Sequence, residues 1–292
     1  MTATILVLGR SGQVARELEK LGAPPGFALE FAGRERLDLA VADPGPLVEA
    51  LRPAAVINAA AYTAVDKAER EPEAAFRLNR DVPAALARAC AEAGVPLVHF
   101  STDYVFDGAK PEPYVETDPV NPAGVYAASK AEGEAAVMAE DGDAIVLRTA
   151  WVYSAFGANF VKTMLRLAGT RDEIGVVADQ LGRPTWAEDC ALGALRAVRD
   201  LLEGETKGPE LFHLAGEGDA SWADFAEAIF EQSAARGGPS ARVRRIATAD
   251  YPTPAKRPMN SRLDCGKILR TLDIRPRPWR SSLRACFEEL RS

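Results

Sequence analysis

The sequence predicts an α/β protein built on a doubly wound parallel sheet, and three observations support that fold class. Short apolar runs alternate with segments of helical spacing through the first half of the chain. A glycine-containing turn joins the first apolar run to the first helical segment. The 292 residues are 47% hydrophobic and 26% charged, which is an ordinary globular composition. The chain can therefore bury a large core around such a sheet.

The individual elements follow from the spacing of apolar residues. Strands are predicted where short apolar runs match strands buried on both faces, at residues 4–8, 27–32, 54–58, 97–100 and 144–147. Helices are predicted between them at residues 14–21, 44–51, 73–92 and 125–139. After residue 150 the alternation weakens, and helices are predicted at 158–167, 189–202, 222–235 and 281–290. We expect a smaller α/β lobe in this second half.

Composition argues against several classes of function. The net charge of −7 gives no electrostatic support for binding nucleic acid or an anionic membrane. The four cysteines are scattered without a C-x-x-C pair, and the chain has two histidines, so a zinc site or a disulfide framework is not expected. The first residues lack the pattern of a signal peptide, and no run approaches the ~18 apolar residues of a membrane span. We therefore expect a cytoplasmic protein.

The first strand–helix junction carries a nucleotide-binding pattern. Gly9 and Gly12 are spaced as in G-x-x-G-x-x-[GA], with Ala15 in the third place. Glycines let the backbone approach a pyrophosphate, which then lies at the helix N-terminus. An ordinary βα turn would also tolerate these residues, but the position in a βαβ chain favours a Rossmann-like NAD(P) site. We expect a dinucleotide-binding domain at 1–150, with later segments returning to it, and mainly a substrate-binding lobe at 151–292.

The end of the second predicted strand bears on the choice of cofactor. Arg34 stands where an acid would bind the 2′-hydroxyl of NAD. An arginine can instead pair with the 2′-phosphate of NADP, although it could also be an ordinary surface residue. Asp38 and Leu39 follow closely and could flank the adenine.

Tyr126 and Lys130 are the candidate reactive pair. They are four residues apart on a predicted helix, so their side chains share one face. A nearby ammonium lowers the pKa of a phenol from about 10, and the same lysine can bind a nicotinamide ribose. Two exposed helix residues would show the same spacing. The strand ending at Phe100 runs into Thr102, whose hydroxyl would lie at the ligand-binding edge of the sheet.

Longer motifs resemble those of the dTDP-4-dehydrorhamnose reductases, across nearly the whole chain. They are Asn58-Ala-Ala-Ala-Tyr-Thr-Ala-Val-Asp66-Lys-Ala-Glu69, Ser101-Thr-Asp-Tyr-Val-Phe-Asp-Gly108, Tyr126-x-x-x-Lys130, Arg148-Thr-Ala-Trp-Val-Tyr153 and Asp179-Gln-x-Gly-x-Pro-Thr185. The resemblance implies reduction of the C4 ketone of dTDP-4-dehydro-L-rhamnose to dTDP-L-rhamnose with NADH or NADPH.

The resemblance also implies roles for individual residues. Tyr126 would donate the proton, and Lys130 would lower the pKa of Tyr126 and bind the ribose. The hydroxyl of Thr102 would modulate the acidity of this pair. Residues expected to line the cofactor are Gly12, Gln13, Val14, Asp38, Leu39, Ala61, Tyr62, Thr63 and, through its backbone, Phe100. Residues expected to contact the dTDP-sugar are Thr102, Asp103, Tyr104 and Trp151, the last of which could instead be a core aromatic.

A homodimer bridged by magnesium is a further implication of the resemblance. Glu17, Glu188 and Glu289 occupy the places of the metal-binding glutamates in some members of the family. Three solvated helix acids are the alternative interpretation, since magnesium holds only a few carboxylates and keeps its waters.

Two rival functions remain at this point. Sugar-nucleotide dehydratases carry Thr-Asp-Glu after the fourth strand, whereas this chain has Thr102-Asp103-Tyr104, and an epimerase is harder to exclude. The regulatory β subunit of methionine adenosyltransferase also resembles this family and serves mainly as a binding partner. A degraded Tyr–Lys pair would favour such a regulatory subunit, but the pair is intact here.

Overall fold

The computed structural model describes residues 2–290, in which strands and helices alternate through the first 150 residues. The strands are β1 (Ala3–Leu8), β2 (Phe27–Ala32), β3 (Ala55–Asn58), β4 (Leu97–Thr102), β5 (Ala144–Thr149), β6 (Val152–Tyr153), β7 (Glu173–Val177), β8 (Leu181–Gly182), β9 (Thr185–Trp186), β10 (Pro209–His213), β11 (Ala220–Ser221) and β12 (Arg242–Ile246). The helices are α1 (Gln13–Leu21), α2 (Gly45–Leu51), α3 (Val65–Ala68), α4 (Pro72–Phe76), α5 (Val82–Ala93), α6 (Val125–Met138), α7 (Phe160–Ala168), α8 (Ala187–Glu203), α9 (Trp222–Ala234), α10 (Gly266–Leu272) and α11 (Trp279–Glu289).

Six parallel strands form the central sheet, in the order β2-β1-β3-β4-β5-β10. The predicted doubly wound sheet is therefore confirmed. The chain runs outward in one direction from β1 to β2 and in the other from β3 to β10. The reversal between β1 and β3 opens a crevice beyond their carboxyl ends, which is where ligands bind in such sheets.

Alternate residues of the strands enter two hydrophobic cores. On β1, Ile5 and Val7 pack with α1, α8 and α10, whereas Leu6 and Leu8 pack with α2, α5 and α6. β1 is thus buried on both faces, as its continuous apolar sequence predicts. The result is a three-layer arrangement with helices on both sides of the sheet.

A third apolar cluster lies in the second half of the chain. It gathers α7, α9 and α11 around large buried side chains such as Phe225 and Trp279. Three two-stranded pairs, β6–β9, β7–β12 and antiparallel β8–β11, complete what we call the C-terminal lobe. By contrast, α8, β10 and α10 come from the same half of the sequence but pack on the central sheet. None of the helices within residues 2–290 is both long and apolar enough to cross a bilayer.

The helix predicted at residues 73–92 is wrong in one respect, because it is interrupted. It consists of α4, a π-helical turn at Arg77–Asp81, and α5. Pro83 explains the interruption, since it has no N–H to donate to the carbonyl of Asn79, four residues earlier. The released carbonyl of Asn79 lies against Gly133 of α6, where an added Cβ would come within 1.8 Å of it.

We expect Gly133→Ala to destabilise the protein, although alanine favours helix over glycine by roughly 1 kcal/mol. The new methyl group would overlap a backbone oxygen that cannot move aside, and overpacking of this kind costs about 1–3 kcal/mol. Urea denaturation measures the change. Gly45→Ala is the matched control, since its Cβ would meet the movable Asp43 carboxylate at 3.3 Å. Equal stabilities for the two variants would contradict the close contact.

Candidate active site

An open cleft of about 480 Å³ lies beyond the carboxyl ends of β1, β3 and β4, against the C-terminal lobe. The structure brings twelve of the predicted site residues to its wall, namely Gly12, Gln13, Val14, Ala61, Thr63, Phe100, Thr102, Asp103, Tyr104, Tyr126, Lys130 and Trp151. From the sequence, no individual site role was assigned to the other residues of the wall, which are Ser11, Ala59, Ala60, Val65, Ser101, Thr149, Val152, Gly157, Ala158, Asn159 and Trp222.

The glycine turn forms one end of the cleft. Gly9 has a φ of +96°, and a Cβ there would lie 3.3 Å from the backbone of Ala59 and Ala60. The turn is thus packed directly on the loop that follows β3. Within the described chain no side chain caps the N-terminus of α1, and its first turn carries no acid. These open N–H groups fit the pyrophosphate of a dinucleotide.

The π-helical turn fixes the neighbouring wall. The buried Asn79 side chain accepts a hydrogen bond from the Tyr62 N–H at 2.8 Å and donates to the Tyr62 carbonyl at 3.0 Å. Its amide also donates to the Ser129 hydroxyl at 3.0 Å. One side chain therefore links the loop after β3 to α6, which carries the candidate reactive pair. Pro83 was a visible signal of this turn in the sequence.

Glu69 sets the beginning of α6. Its Oε1 accepts a hydrogen bond from the N–H of Val125 at 2.8 Å, directly before Tyr126. A carboxylate at this end also matches the positive pole of the helix dipole. Glu69, the residue that follows α3, thus fixes the start of α6. It thereby also fixes the position of Tyr126 in the cleft.

Tyr126 and Lys130 lie on one face of α6, as their spacing predicts, but their electrostatics differ from expectation. Burial raises the pKa of Tyr126 to about 12 and lowers the pKa of Lys130 to about 8. The Lys130 ammonium donates to the carbonyl of Phe100 at 2.5 Å. The pKa of Tyr126 is thus raised by burial, where the sequence predicted that the lysine would lower it.

Thr102 and Asp103 lie beside the reactive pair at the end of β4. The Thr102 hydroxyl donates to Asp103 Oδ1 at 2.9 Å and accepts from the Tyr104 N–H at 3.2 Å. Burial raises the pKa of Asp103 to about 7. The Thr102 hydroxyl also forms a hydrogen bond with the Tyr126 phenol, which lowers the pKa of Tyr126 by less than burial raises it.

Comparison with known proteins identifies the family. A family model described as an RmlD substrate binding domain matches residues 3–292. A dTDP-4-dehydrorhamnose reductase from Sinorhizobium fredii is 48% identical over 284 residues, or 96% of this chain and 95% of that protein. The chain belongs to the dTDP-4-dehydrorhamnose reductase family. The reductase structure from Clostridium acetobutylicum matches with a TM-score of 0.91 and 37% identity, covering 99% of this chain and 100% of that one. The reductase structure from Bacillus anthracis, in complex with NADP, matches with a TM-score of 0.89 and 33% identity, with the same coverage.

In this dTDP-4-dehydrorhamnose reductase family member, two tryptophans close the far side of the cleft. The rings of Trp151 and Trp222 stack with centroids 3.5 Å apart, although 71 residues separate them. Trp151 has a φ of +48°, and a Cβ on Gly182 would lie 2.3 Å from its ring. The close glycine leaves room for the indole. Trp151 therefore bridges the end of β5 and the C-terminal lobe.

Gln13 and Asn159 form a second link between the two parts of this reductase-family fold. The amide of Asn159 donates to Gln13 Oε1 at 2.9 Å, and the amide of Gln13 lies 3.4 Å from the carbonyl of Val152. Asn159 also begins α7 by accepting from the N–H of Lys162. Gln13, which directly follows the second glycine of the turn, is thus joined to the C-terminal lobe.

Five of the predicted cofactor residues lie outside the cleft wall, namely Gly9, Arg34, Asp38, Leu39 and Tyr62. Gly9 supports the turn from behind, and Tyr62 contributes its held backbone while its hydroxyl donates to Glu71 at 2.9 Å. Leu39 is buried. The Arg34 side chain is 84% exposed and lies 4.0 Å from Asp38, so it is available to a ligand.

The glutamates that the family resemblance assigns to magnesium do converge, but a lysine lies among them. Oxygens of Glu17, Glu188 and Glu289 are within 4.8 Å of one another. The Lys20 ammonium lies 2.6–2.7 Å from one oxygen of each. A magnesium ion does not fit this arrangement, since its position is filled by the protein's own cation.

Proposed function

We propose that the protein reduces the C4 ketone of dTDP-4-dehydro-L-rhamnose to give dTDP-L-rhamnose, with NADPH or NADH as the reductant. The observation that carries the proposal is the meeting of Tyr126, Lys130 and Thr102 in the cleft that begins at the glycine turn. Relatives that match nearly the full chain bear the name of this activity. The B. anthracis relative binds NADP, which supports the choice of cofactor class.

The cofactor, when bound, supplies the hydride. Its pyrophosphate would lie at the open N-terminus of α1, next to Gly12 and Gln13. Ala61 and Thr63 would pack along it, and Phe100 and Lys130 would face its nicotinamide half. The small side chains after β3 leave the backbone accessible for this contact.

The proton is assigned to Tyr126. Because burial raises its pKa to about 12, the phenol carries its proton throughout the neutral range. Reduction adds a hydride to C4 of the ketone, and the oxygen of that ketone would take the proton of Tyr126 and become a hydroxyl. Thr102, which is hydrogen-bonded to the Tyr126 phenol, would hold the same sugar oxygen beside that proton donor.

The sugar nucleotide would lie toward Asp103, Tyr104 and the stacked Trp151. Tyr104 stands where a dehydratase has the glutamate that elimination requires, so the cleft lacks that base. The buried hydroxyl of Tyr104 has a pKa raised further by burial, and it is a hydrogen-bond partner rather than a base. These residues favour simple reduction over elimination.

A purely regulatory role is the rival from another class. The intact Tyr126–Lys130 pair supports an enzyme. Loss of reduced-nicotinamide absorbance with the keto sugar and the purified chain alone separates the two functions. A homodimer and a cytoplasmic location remain predictions from the sequence.

We expect Tyr126→Phe to lower kcat by about 10²–10⁴-fold, which is the usual value of a positioned acid. Cofactor affinity should remain nearly unchanged, since the ring is kept and the hydroxyl alone is lost. Single-turnover reduction measures the chemical step, and cofactor titration provides the control. Wild-type turnover in the variant would mean that the proton comes from another group.

We expect kcat/KM for the reduced cofactor to fall as pH rises through about 8. In the free enzyme Lys130 loses its proton there, because burial lowers its pKa, and the neutral amine holds a ribose less well. Tyr126 stays protonated over this range. Lys130→Met should lower kcat/KM and remove its decline with pH, since no group is left to titrate near pH 8. Lys130→Arg should remove the same decline, because an arginine keeps its charge over this range. A limb near pH 8 that persists in both variants would belong to another group.

We also propose that NADPH is used at least as well as NADH, through the exposed Arg34. A hydrogen bond between charged groups contributes about 1.5–3 kcal/mol, so Arg34→Ala should raise KM for NADPH by roughly tenfold or more and leave NADH nearly unchanged. Arg36→Ala is the matched control, since Arg36 is paired with Glu30 at 2.5 Å. Equal changes for both cofactors would remove the phosphate contact from Arg34.

A further inference from the structure

Lys20 makes three close ion pairs from the centre of an acidic cluster. Its ammonium lies 2.6 Å from Glu17 Oε2, 2.7 Å from Glu188 Oε2 and 2.6 Å from Glu289 Oε1. Glu17 is fully buried, and the other two glutamates are partly buried. The cluster joins α1, which opens at the glycine turn, to α8 and to α11 of the C-terminal lobe.

The second oxygens of Glu17 and Glu188 have partners as well. The Ser154 hydroxyl donates to Glu17 Oε1 at 2.7 Å. Arg277 donates to Glu188 Oε1 at 3.0 Å and also pairs with Asp189. Both oxygens of Glu17 and of Glu188, and one oxygen of Glu289, are therefore already engaged by groups of the chain.

The ring of Trp186 contacts the two cations of the cluster, Lys20 and Arg277. The Lys20 ammonium is 5.2 Å from the ring centroid, and the Arg277 guanidinium carbon is 4.8 Å from it. Both distances suit cation–π attraction. Lys20 is thus held by an aromatic face as well as by carboxylates, which fixes its long side chain in place.

We propose that Lys20 is the resident cation of this cluster, so that α1 is joined to α8 and α11 without a divalent metal. Its three acceptors match the three donors of an ammonium. Burial lowers the pKa of Lys20, but the hydrogen bonds to Glu17, Glu188 and Glu289 outweigh it and raise the pKa above the usual value.

A metal ion could enter only by displacing a tethered side chain. Magnesium requires oxygens at about 2.0–2.1 Å in an octahedron, and this position would bring it against the ammonium. Mutual repulsion of the two cations disfavours joint occupancy. Removal of the ammonium reverses the balance, because three carboxylates within 4.8 Å are then left without their common cation.

The test compares thermal unfolding of the full chain in EDTA and in millimolar magnesium. The wild type should show the same Tm in both. Lys20→Met, which keeps most of the aliphatic stem, should melt several degrees lower in EDTA and regain stability with magnesium, as a ligand bound to the native state requires. Lys20→Arg keeps the charge and should not respond to magnesium. Adding Glu188→Gln to Lys20→Met should abolish the response, which assigns it to the cluster.

A wild type stabilised by magnesium as strongly as Lys20→Met would overturn the proposal, and so would a Lys20→Met protein that ignores magnesium. If Lys20→Met fails to fold, calorimetric titration of the wild type with magnesium decides, since binding at the cluster contradicts a resident lysine. Sedimentation of the wild type in magnesium and in EDTA should give one and the same mass. None of these readouts depends on the reductase activity, which is assayed separately.

Discussion

Gly133 lies against the backbone carbonyl of Asn79, and the reactive face of α6 depends on that contact. Because Pro83 has no N–H, the Asn79 carbonyl lacks its helical hydrogen-bond donor and a π-helical turn forms. α6 can then pack closely against that carbonyl. The Asn79 side chain then reaches the backbone of Tyr62 and the hydroxyl of Ser129. One missing hydrogen bond between α4 and α5 thereby couples the cofactor-facing loop to the helix that holds Tyr126.

Local patterns predicted the features that are themselves local. The parallel strands follow from short apolar runs, the turn at Gly9 from its glycines, and the shared face of Tyr126 and Lys130 from helical spacing. The stacking of Trp151 on Trp222 could not be predicted, because it depends on how the C-terminal lobe closes on the sheet. The place of Lys20 among three glutamates is likewise set by packing of helices far apart in sequence.

Some motif residues that carry the family resemblance lie outside the cleft wall and hold loops. Asp66 forms a two-pronged ion pair with Arg257, at 2.9 and 2.8 Å, which ties α3 to the loop before α10. Asp179 accepts from the backbone and hydroxyl of Thr248. These pairs connect the central sheet with the C-terminal lobe or brace that lobe. Long motifs in this family thus record the shape of the cleft as well as its chemistry.

The burial of the reactive pair favours one direction of the proposed reaction. Burial disfavours charge on either group, so it keeps Tyr126 as a neutral phenol and makes Lys130 easier to deprotonate. Reduction begins with the neutral phenol and leaves a phenolate, which takes a proton back readily because its pKa is high. Oxidation of the alcohol would need the phenolate at the start, which the same burial opposes. At neutral pH Lys130 still carries its proton, and its charge can stabilise the phenolate at the moment that anion forms.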